Sequence, residues 1–430
     1  MTPQVRELAA LVAFPSVSSA PSPALRACAR WLVDKLRRLG ARDARLVETG
    51  GPPVVMGSVG QGRSVLIYGH YDVQPAGPAS AWRSPPFAPV VRDGYLYGRG
   101  ASDAKGQLYA HLAAVERLGA RLPCRVVFVI EGEEEIGSPH LPAVLAAHAP
   151  YLASEVAVVS DNAVLGPDRP SLTYALRGDL YLDVEIAGAH PELHSGNFGG
   201  AVANALRVLV RALASLHDAG GAATVPGLAD DVVVPPPAER RYMRTTGPSD
   251  RELRAEAGGA PLAGAAAYER ATIRPSIELA GLTGGYTGAG IRGVIPARAR
   301  AKLDVRLVPR QDPERVHRQI FARLAAAVPR GLTLTTRERM RAQPVLLPRD
   351  HPAARAAVRA YRRGFGVAPV FVRAGGSIPV VSALAERTTP VLMGFALPDD
   401  RAHGADERFS LAMLAKATAT SAAFLEEIAR

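Results

Sequence analysis

The 430-residue sequence predicts an α/β protein, a mostly parallel sheet with helices on both faces, interrupted by an α+β insert. Three observations carry that expectation. Short, mostly apolar runs of the kind found in strands buried on both faces recur at 64–69 (SVLIYG), 125–130 (RVVFVI), 156–159 (VAVV) and 390–395 (PVLMGF). Stretches with helical spacing of apolar residues lie between them, as a parallel sheet requires. From about residue 178 the texture changes to strict alternation, as in LYLDVEI (180–186), which suits a strand with one exposed face. The pattern predicts a first domain made of 1–177 and 346–430, with 178–345 inserted into it.

In chain order, Thr2 and Pro3 form a helix start, and Val5, Leu8 and Val12 continue the helix until Pro15 ends the pattern. A second helix begins near Pro23, carries the stripe Leu25, Cys28, Leu32, Leu36 and Leu39, and stops at Gly40. The strand at 64–69 delivers His70 and Asp72 at its C-terminal end. Residues 75–94, rich in Pro and Gly, read as an irregular loop. Leu108, Leu112, Val115 and Leu118 mark a helix closed by Gly119, which places Asp103 at a helix start. The strands at 125–130 and 156–159 run directly into acids, Glu131 to Glu135 after the first and Asp161 after the second. In the insert, a helix from Ala201 is expected to bury Val202, Leu206, Leu209 and Leu216, and 217–265 reads as loop-rich. Alternating strands surround 299–307, helices begin near Pro313 and at 352, and the last buried strand precedes the DDRAH stretch.

Bulk properties narrow the function classes. A hydrophobic content of 48% is ample for two cores, and no run approaches the roughly 18 apolar residues of a membrane span. The N-terminus lacks a basic-then-apolar signal pattern, so a cytoplasmic location with no membrane association is expected. The net charge of +11 raises nucleic-acid binding, but the arginines are dispersed, only four lysines occur, and aromatic residues are not interleaved with the basic ones. No nucleic-acid partner is expected. Cys28 and Cys124, in apolar contexts with no CxxC or CxxH neighbour, read as buried thiols.

Five acid or histidine clusters stand out: GHYD (69–72), YGRGASDAKG (97–106), EGEEE (131–135), SDN (160–162) and DDRAH (399–403). Each alone has a mundane reading, such as a polar strand end, a helix cap or a solvated acidic face. Together, most of them at the ends of short apolar runs, they match what a metal site at the edge of a sheet needs. Two divalent metals require a shared carboxylate plus carboxylate and imidazole ligands on each side. His70, Asp161 and one oxygen of Asp103 can supply the first metal, and Glu135, His403 and the other oxygen of Asp103 the second. Ligands without thiolate favour zinc, manganese or cobalt. Asp72, two residues after His70 in an extended chain, can orient its imidazole, and Glu134 can act as general base on the water between the metals.

The stretches GHYDVQP, GRGASDAKG, EGEEEIGS, SDN, LHSGNFGG, GGSIPV and the terminal AH together resemble the dinuclear metallopeptidases of clan MH. The resemblance is to the carnosinase-like dipeptidase branch, whose relatives include acetylornithine deacetylase, succinyl-diaminopimelate desuccinylase and carboxypeptidase G. It implies a zinc-exopeptidase-like catalytic domain and assigns His70, Asp103, Glu135, Asp161 and His403 as ligands, Glu134 as base and Asp72 as the orienting acid. It makes 178–345 a lid or dimerisation domain in which His194 polarises the substrate's scissile carbonyl in the site of the other chain of a homodimer. Arg306 and the loop Gly375, Gly376 and Ser377 would hold the substrate carboxylate, and the peptide bond after Asp103 would be cis. Glu133 matches no functional position. Gly293, Ala104 and Ala374 depart from the residues common at their positions, which bears on substrate choice. The expected activity is hydrolysis of dipeptide-like amides with a free C-terminal carboxylate, the alternative is deacylation of N-acyl amino acids, and a non-catalytic binder is a third reading.

Overall fold

The computed structural model describes residues 1–430. The chain divides into two compact units, one of Met1–Tyr174, Leu347–Arg373 and Ile378–Arg430, the other of Ala175–Leu346 and Ala374–Ser377.

In the first unit the sheet runs in the spatial order Arg45–Val47, Val54–Val59, Arg125–Glu131, Ser64–His70, Val156–Val159, Thr389–Met393, Ser171–Leu176. Its four central strands pair in parallel, Ser64–His70 lying between Arg125–Glu131 and Val156–Val159, with Thr389–Met393 beyond the latter. The outer pairings are antiparallel. Val65 and Ile67 face a core shared with Leu8, Leu32, Leu112 and Phe424, while the alternate residues Leu66 and Tyr68 are equally buried. Both faces are therefore covered, which is why these strands read as continuous apolar runs. Parallel strands end on one side of a sheet, so His70, Glu131 and the residues after Val159 and Met393 converge at a single edge.

The second unit is an antiparallel sheet in the order Ser276–Gly284, Arg298–Leu307, Gly178–Gly188, Leu332–Ala342. Leu180, Leu182, Val184 and Ile186 on its inner face pack with Leu209 and Ile320 from the helices Ala205–Ala214 and Pro313–Ala325.

Several local expectations need correction. The helix expected from Ala201 starts at Ala205, because the Asn204 side chain caps it by accepting from Arg207 N–H. Its buried stripe is Ala205, Val208, Leu209, Ala212 and Leu213, with Val202 and Leu206 only partly covered. Within 217–265 lie two helices, Pro237–Thr246 and Asp250–Glu256, the second opened by a reciprocal Ser249–Glu252 capping box. The loop at 75–94 contains the strand Val90–Arg92, part of a small sheet with Tyr95–Tyr97 and Arg408–Ser410. Asp103 is not at the first turn of a helix: its φ and ψ are −117° and 96°, and the helix begins at Gly106. Cys28 and Cys124 are both buried and unpaired, as expected. No helix is long and apolar enough to cross a membrane.

Candidate metal centre

His70 is the last residue of the central strand and is fully buried. Its Nδ1 lies 3.1 Å from the Asp72 carbonyl oxygen and 3.3 Å from Asp72 Oδ1, so a proton on Nδ1 is held by Asp72. In the neutral imidazole that leaves Nε2 as a lone pair. Nε2 is buried without a hydrogen-bond partner and faces Asp103 Oδ1 at 3.3 Å and Asp161 Oδ1 at 3.7 Å. Three such groups aimed at one another repel unless a proton or a cation lies among them, and this donor set could hold a divalent metal.

A second group stands beside it. His403 Nε2 lies 2.9 Å from Asp103 Oδ2 and 3.2 Å from Glu135 Oε2. In each of the two groups the ligand atoms lie within 4.8 Å of one another. Asp103 belongs to both and turns one oxygen toward each.

Local structure explains how these residues are held. Asp103 sits in an irregular turn over 101–105, and the Asp103–Ala104 bond is cis, as the resemblance implied. The turn is entered through Gly100 at φ +85°, where a Cβ would lie 2.5 Å from Val73 Cγ1, so only glycine fits. The buried Asp72 carboxylate also accepts from Glu134 N–H at 3.2 Å and Glu135 N–H at 3.1 Å, so it orients His70 and fixes the turn bearing the two glutamates. His403 adopts φ +61° in a loop where Arg401 and Asp406 are also left-handed.

The electrostatics follow from crowding carboxylates around two imidazoles. Burial opposes charging His70, yet Asp103, Asp161 and Asp72 hold its imidazole well above the ordinary histidine range. Hydrogen bonds to Asp103 and Glu135 push His403 up to about 10. Burial raises Asp103, but His403 and His70 together hold it well below the usual carboxylate range. Burial, with Asp103 nearby, pushes Asp161 up to about 6. Burial, then Asp161, also pushes Glu134 well above the usual range. Protons held on imidazoles by surrounding acids are what a bound cation displaces.

The remaining sequence-predicted residues lie in the second unit. Arg306 Nη2 meets Asp304 Oδ2 at 2.9 Å, while Nη1 meets Asp179 Oδ2 and donates to Ser377 Oγ, both at 3.1 Å. The Gly375 carbonyl accepts from Arg177 Nε at 2.7 Å, and a Cβ on Gly376 would meet nothing within 4 Å. His194 ends a two-residue strand paired with Val294–Ile295, and its Nδ1 accepts from Gly196 N–H at 3.0 Å. A Cβ on Gly293 would lie 2.8 Å from Ser195 Oγ, so the glycine relieves crowding beside His194.

Sequence reasoning missed three residues of the first unit. Gln74 Nε2 donates to Glu135 Oε2 at 2.9 Å, and it lies inside the quoted GHYDVQP stretch, where its position four residues after His70 was a usable signal. Arg99 and Glu407 form a buried pair at 2.7 Å; Arg99 lies inside the quoted YGRGASDAKG stretch, whereas Glu407 had no local signal to mark it. Glu133, matched to no function, pairs with His140 at 2.8 Å.

A parallel sheet with two carboxylate–imidazole groups sharing one aspartate at its edge defines a metal-dependent hydrolase of the peptidase type. The chain belongs to peptidase family M20/M25/M40, whose profile matches residues 66–427. It is 31% identical to the Cys-Gly metallodipeptidase DUG1 of Candida albicans, over 95% of this chain and 90% of that protein. It is also 31% identical to the human Beta-Ala-His dipeptidase, over 92% of this chain and 83% of that one. Among solved structures, the M20 family metallo-carboxypeptidase Sso-CP2 from Sulfolobus solfataricus superposes with a TM-score of 0.91 at 29% identity, covering 100% of both chains.

Proposed function

We propose that this chain is a dipeptidase working with two divalent metal ions, zinc by preference, on substrates with a free C-terminal carboxylate. The observation that carries this reading is Asp103, which turns one oxygen to His70 and the other to His403. His70, Asp161 and Asp103 are assigned to one ion, and Glu135, His403 and Asp103 to the other. Bound there, the ions would polarise the scissile carbonyl and make the attacking water more acidic.

Glu134 takes a proton from the attacking water and returns it to the leaving amine. Burial and the neighbouring Asp161 raise its carboxyl, which makes it better able to hold the proton between the two halves of that transfer. Asp72 keeps the His70 imidazole oriented and holds the backbone N–H groups of Glu134 and Glu135, so base and ligand stay in register. Arg306, aligned by Asp304 and Asp179, is assigned with Gly375, Gly376 and Ser377 to the substrate carboxylate. His194 is assigned to the scissile carbonyl, supplied by a second copy of the chain. Residues 178–345 would then serve as a lid and dimerisation domain, in a homodimer of the cytoplasm.

Relatives named for Cys-Gly and Beta-Ala-His support a dipeptide substrate. The test is a panel of dipeptides beside a panel of N-acetyl amino acids, run on protein stripped of metal and reconstituted with zinc, manganese or cobalt. Dipeptide turnover restored by metal is the expected result. Turnover confined to the acylated series would replace the substrate assignment, and activity that survives exhaustive chelation would overturn the metal reading.

A further inference from the structure

We propose that Glu407, together with its partner Arg99, is a positioning residue that sets the Asp103 turn and the His403 loop against each other. This rests on the reading of Asp103 and His403 as ligands.

Arg408–Ser410 pairs antiparallel with Tyr95–Tyr97, Arg408 opposite Tyr97, and Gly98 N–H donates to the Glu407 carbonyl at 2.9 Å. That register delivers the Glu407 side chain under the turn leading to Asp103. Its Oε1 accepts from Ser102 N–H at 2.9 Å and Asp103 N–H at 3.0 Å. Its Oε2 accepts from Gly100 N–H at 2.8 Å and Arg99 Nη1 at 2.7 Å. Four donors saturate the carboxylate, and three of them are the backbone of the turn itself, folded round the anion as a nest. Arg99 carries the constraint onward, since its Nη2 donates to the His403 carbonyl at 3.0 Å and to the Pro75 carbonyl at 3.3 Å. The guanidinium lies over the Trp82 ring, 5.4 Å from its centroid. Both side chains are buried, at 2% exposure for Arg99 and none for Glu407. One carboxylate thus grips the backbone of Asp103 directly and that of His403 through Arg99.

The experiment measures metal binding, not turnover. Metal-free wild type, Glu407→Gln, Arg99→Lys and Glu269→Gln are titrated with cobalt(II), following heat and the visible absorption bands. Glu269, buried in the second unit between Arg240 and Arg244, is the control for loss of a buried ion pair whose partners are not among the assigned ligands. Glutamine at 407 keeps one acceptor oxygen and turns an NH2 toward backbone N–H groups, so ligand placement loosens. The expected result is binding weakened about tenfold to a hundredfold with altered cobalt bands. Arg99→Lys leaves the three backbone bonds of Glu407 in place and weakens only one of the two binding steps. Glu269→Gln leaves both steps unchanged. Wild-type affinities in folded Glu407→Gln and Arg99→Lys would overturn the inference, as would an equal loss in Glu269→Gln at matched stability. If Glu407→Gln does not fold, Arg99→Lys decides alone. Wild-type protein that binds no cobalt would instead overturn the metal-centre reading itself.

Discussion

Replacing Asp72 with asparagine tests how much of the centre depends on one buried carboxylate. The side chain is fully buried, with Oδ1 taking Glu134 N–H at 3.2 Å and lying 3.3 Å from His70 Nδ1, and Oδ2 taking Glu135 N–H at 3.1 Å. Asparagine retains one oxygen and places an NH2 at the other site, where it faces either Glu135 N–H or the shared Glu134 and His70 donors. At least one buried donor is then left unpaired, at a cost of ~1–3 kcal/mol, and the surviving bonds fall from charge-assisted to neutral strength, roughly half. Metal-free Asp72→Asn should therefore lose about 2–4 kcal/mol in urea denaturation at neutral pH. His70 Nδ1 keeps the backbone carbonyl of residue 72 at 3.1 Å but loses the charged acceptor that orients the ring, so zinc affinity by calorimetry should fall about tenfold to a hundredfold, and kcat/KM with it. A variant with wild-type stability and wild-type affinity would refute the argument. Lost stability with unchanged affinity would confine Asp72 to holding the 134–135 turn.

Three further outcomes are expected. Glu134→Gln should lower kcat by roughly 10²- to 10⁴-fold while calorimetry still finds two ions per chain, because the residue is assigned to move a proton and not to hold an ion. If His194 acts across a two-fold dimer, refolding equal amounts of Glu134→Ala and His194→Ala chains makes half the dimers mixed with one intact site each, so about a quarter of wild-type activity should return; background activity would place His194 in its own chain's site. The third concerns acid stability of the metal-free protein. His111 is buried between Ser160 and Ser421, at 2.8 and 2.7 Å, and burial lowers its pKa from 6.5 to about 4. Above pH 6.5 both states are neutral there; between 6.5 and 4 only the unfolded chain takes the proton, so stability falls by up to ~3 kcal/mol as pH drops through that window. His111→Gln should remove that part of the slope, read from urea midpoints at pH 7 and 4.5.

The elements that position the centre were legible because buried parallel strands are apolar on both faces and ligands follow at their ends. The runs at 64–69 and 125–130 needed no partner to be recognised, and their strands extend one residue further, to His70 and Glu131. Helices were legible only where one face is buried. Pro237–Thr246 buries Met243 alone and Asp250–Glu256 buries nothing, so no stripe marked them. Leu411–Ile428 escaped for the opposite reason, since burial nearly all round leaves no period to read.

The sequence by itself determined the α/β class, the edge at which acids and histidines collect, and the residue types able to hold two divalent ions. Periodicity and residue chemistry are local properties, and those conclusions need nothing else. Only the tertiary structure decided that Asp72 grips the 134–135 turn and that Glu407 reaches back to the backbone at 100–103. Those contacts join segments tens to hundreds of residues apart, and their geometry is set by strand register and core packing, which no spacing along the chain encodes.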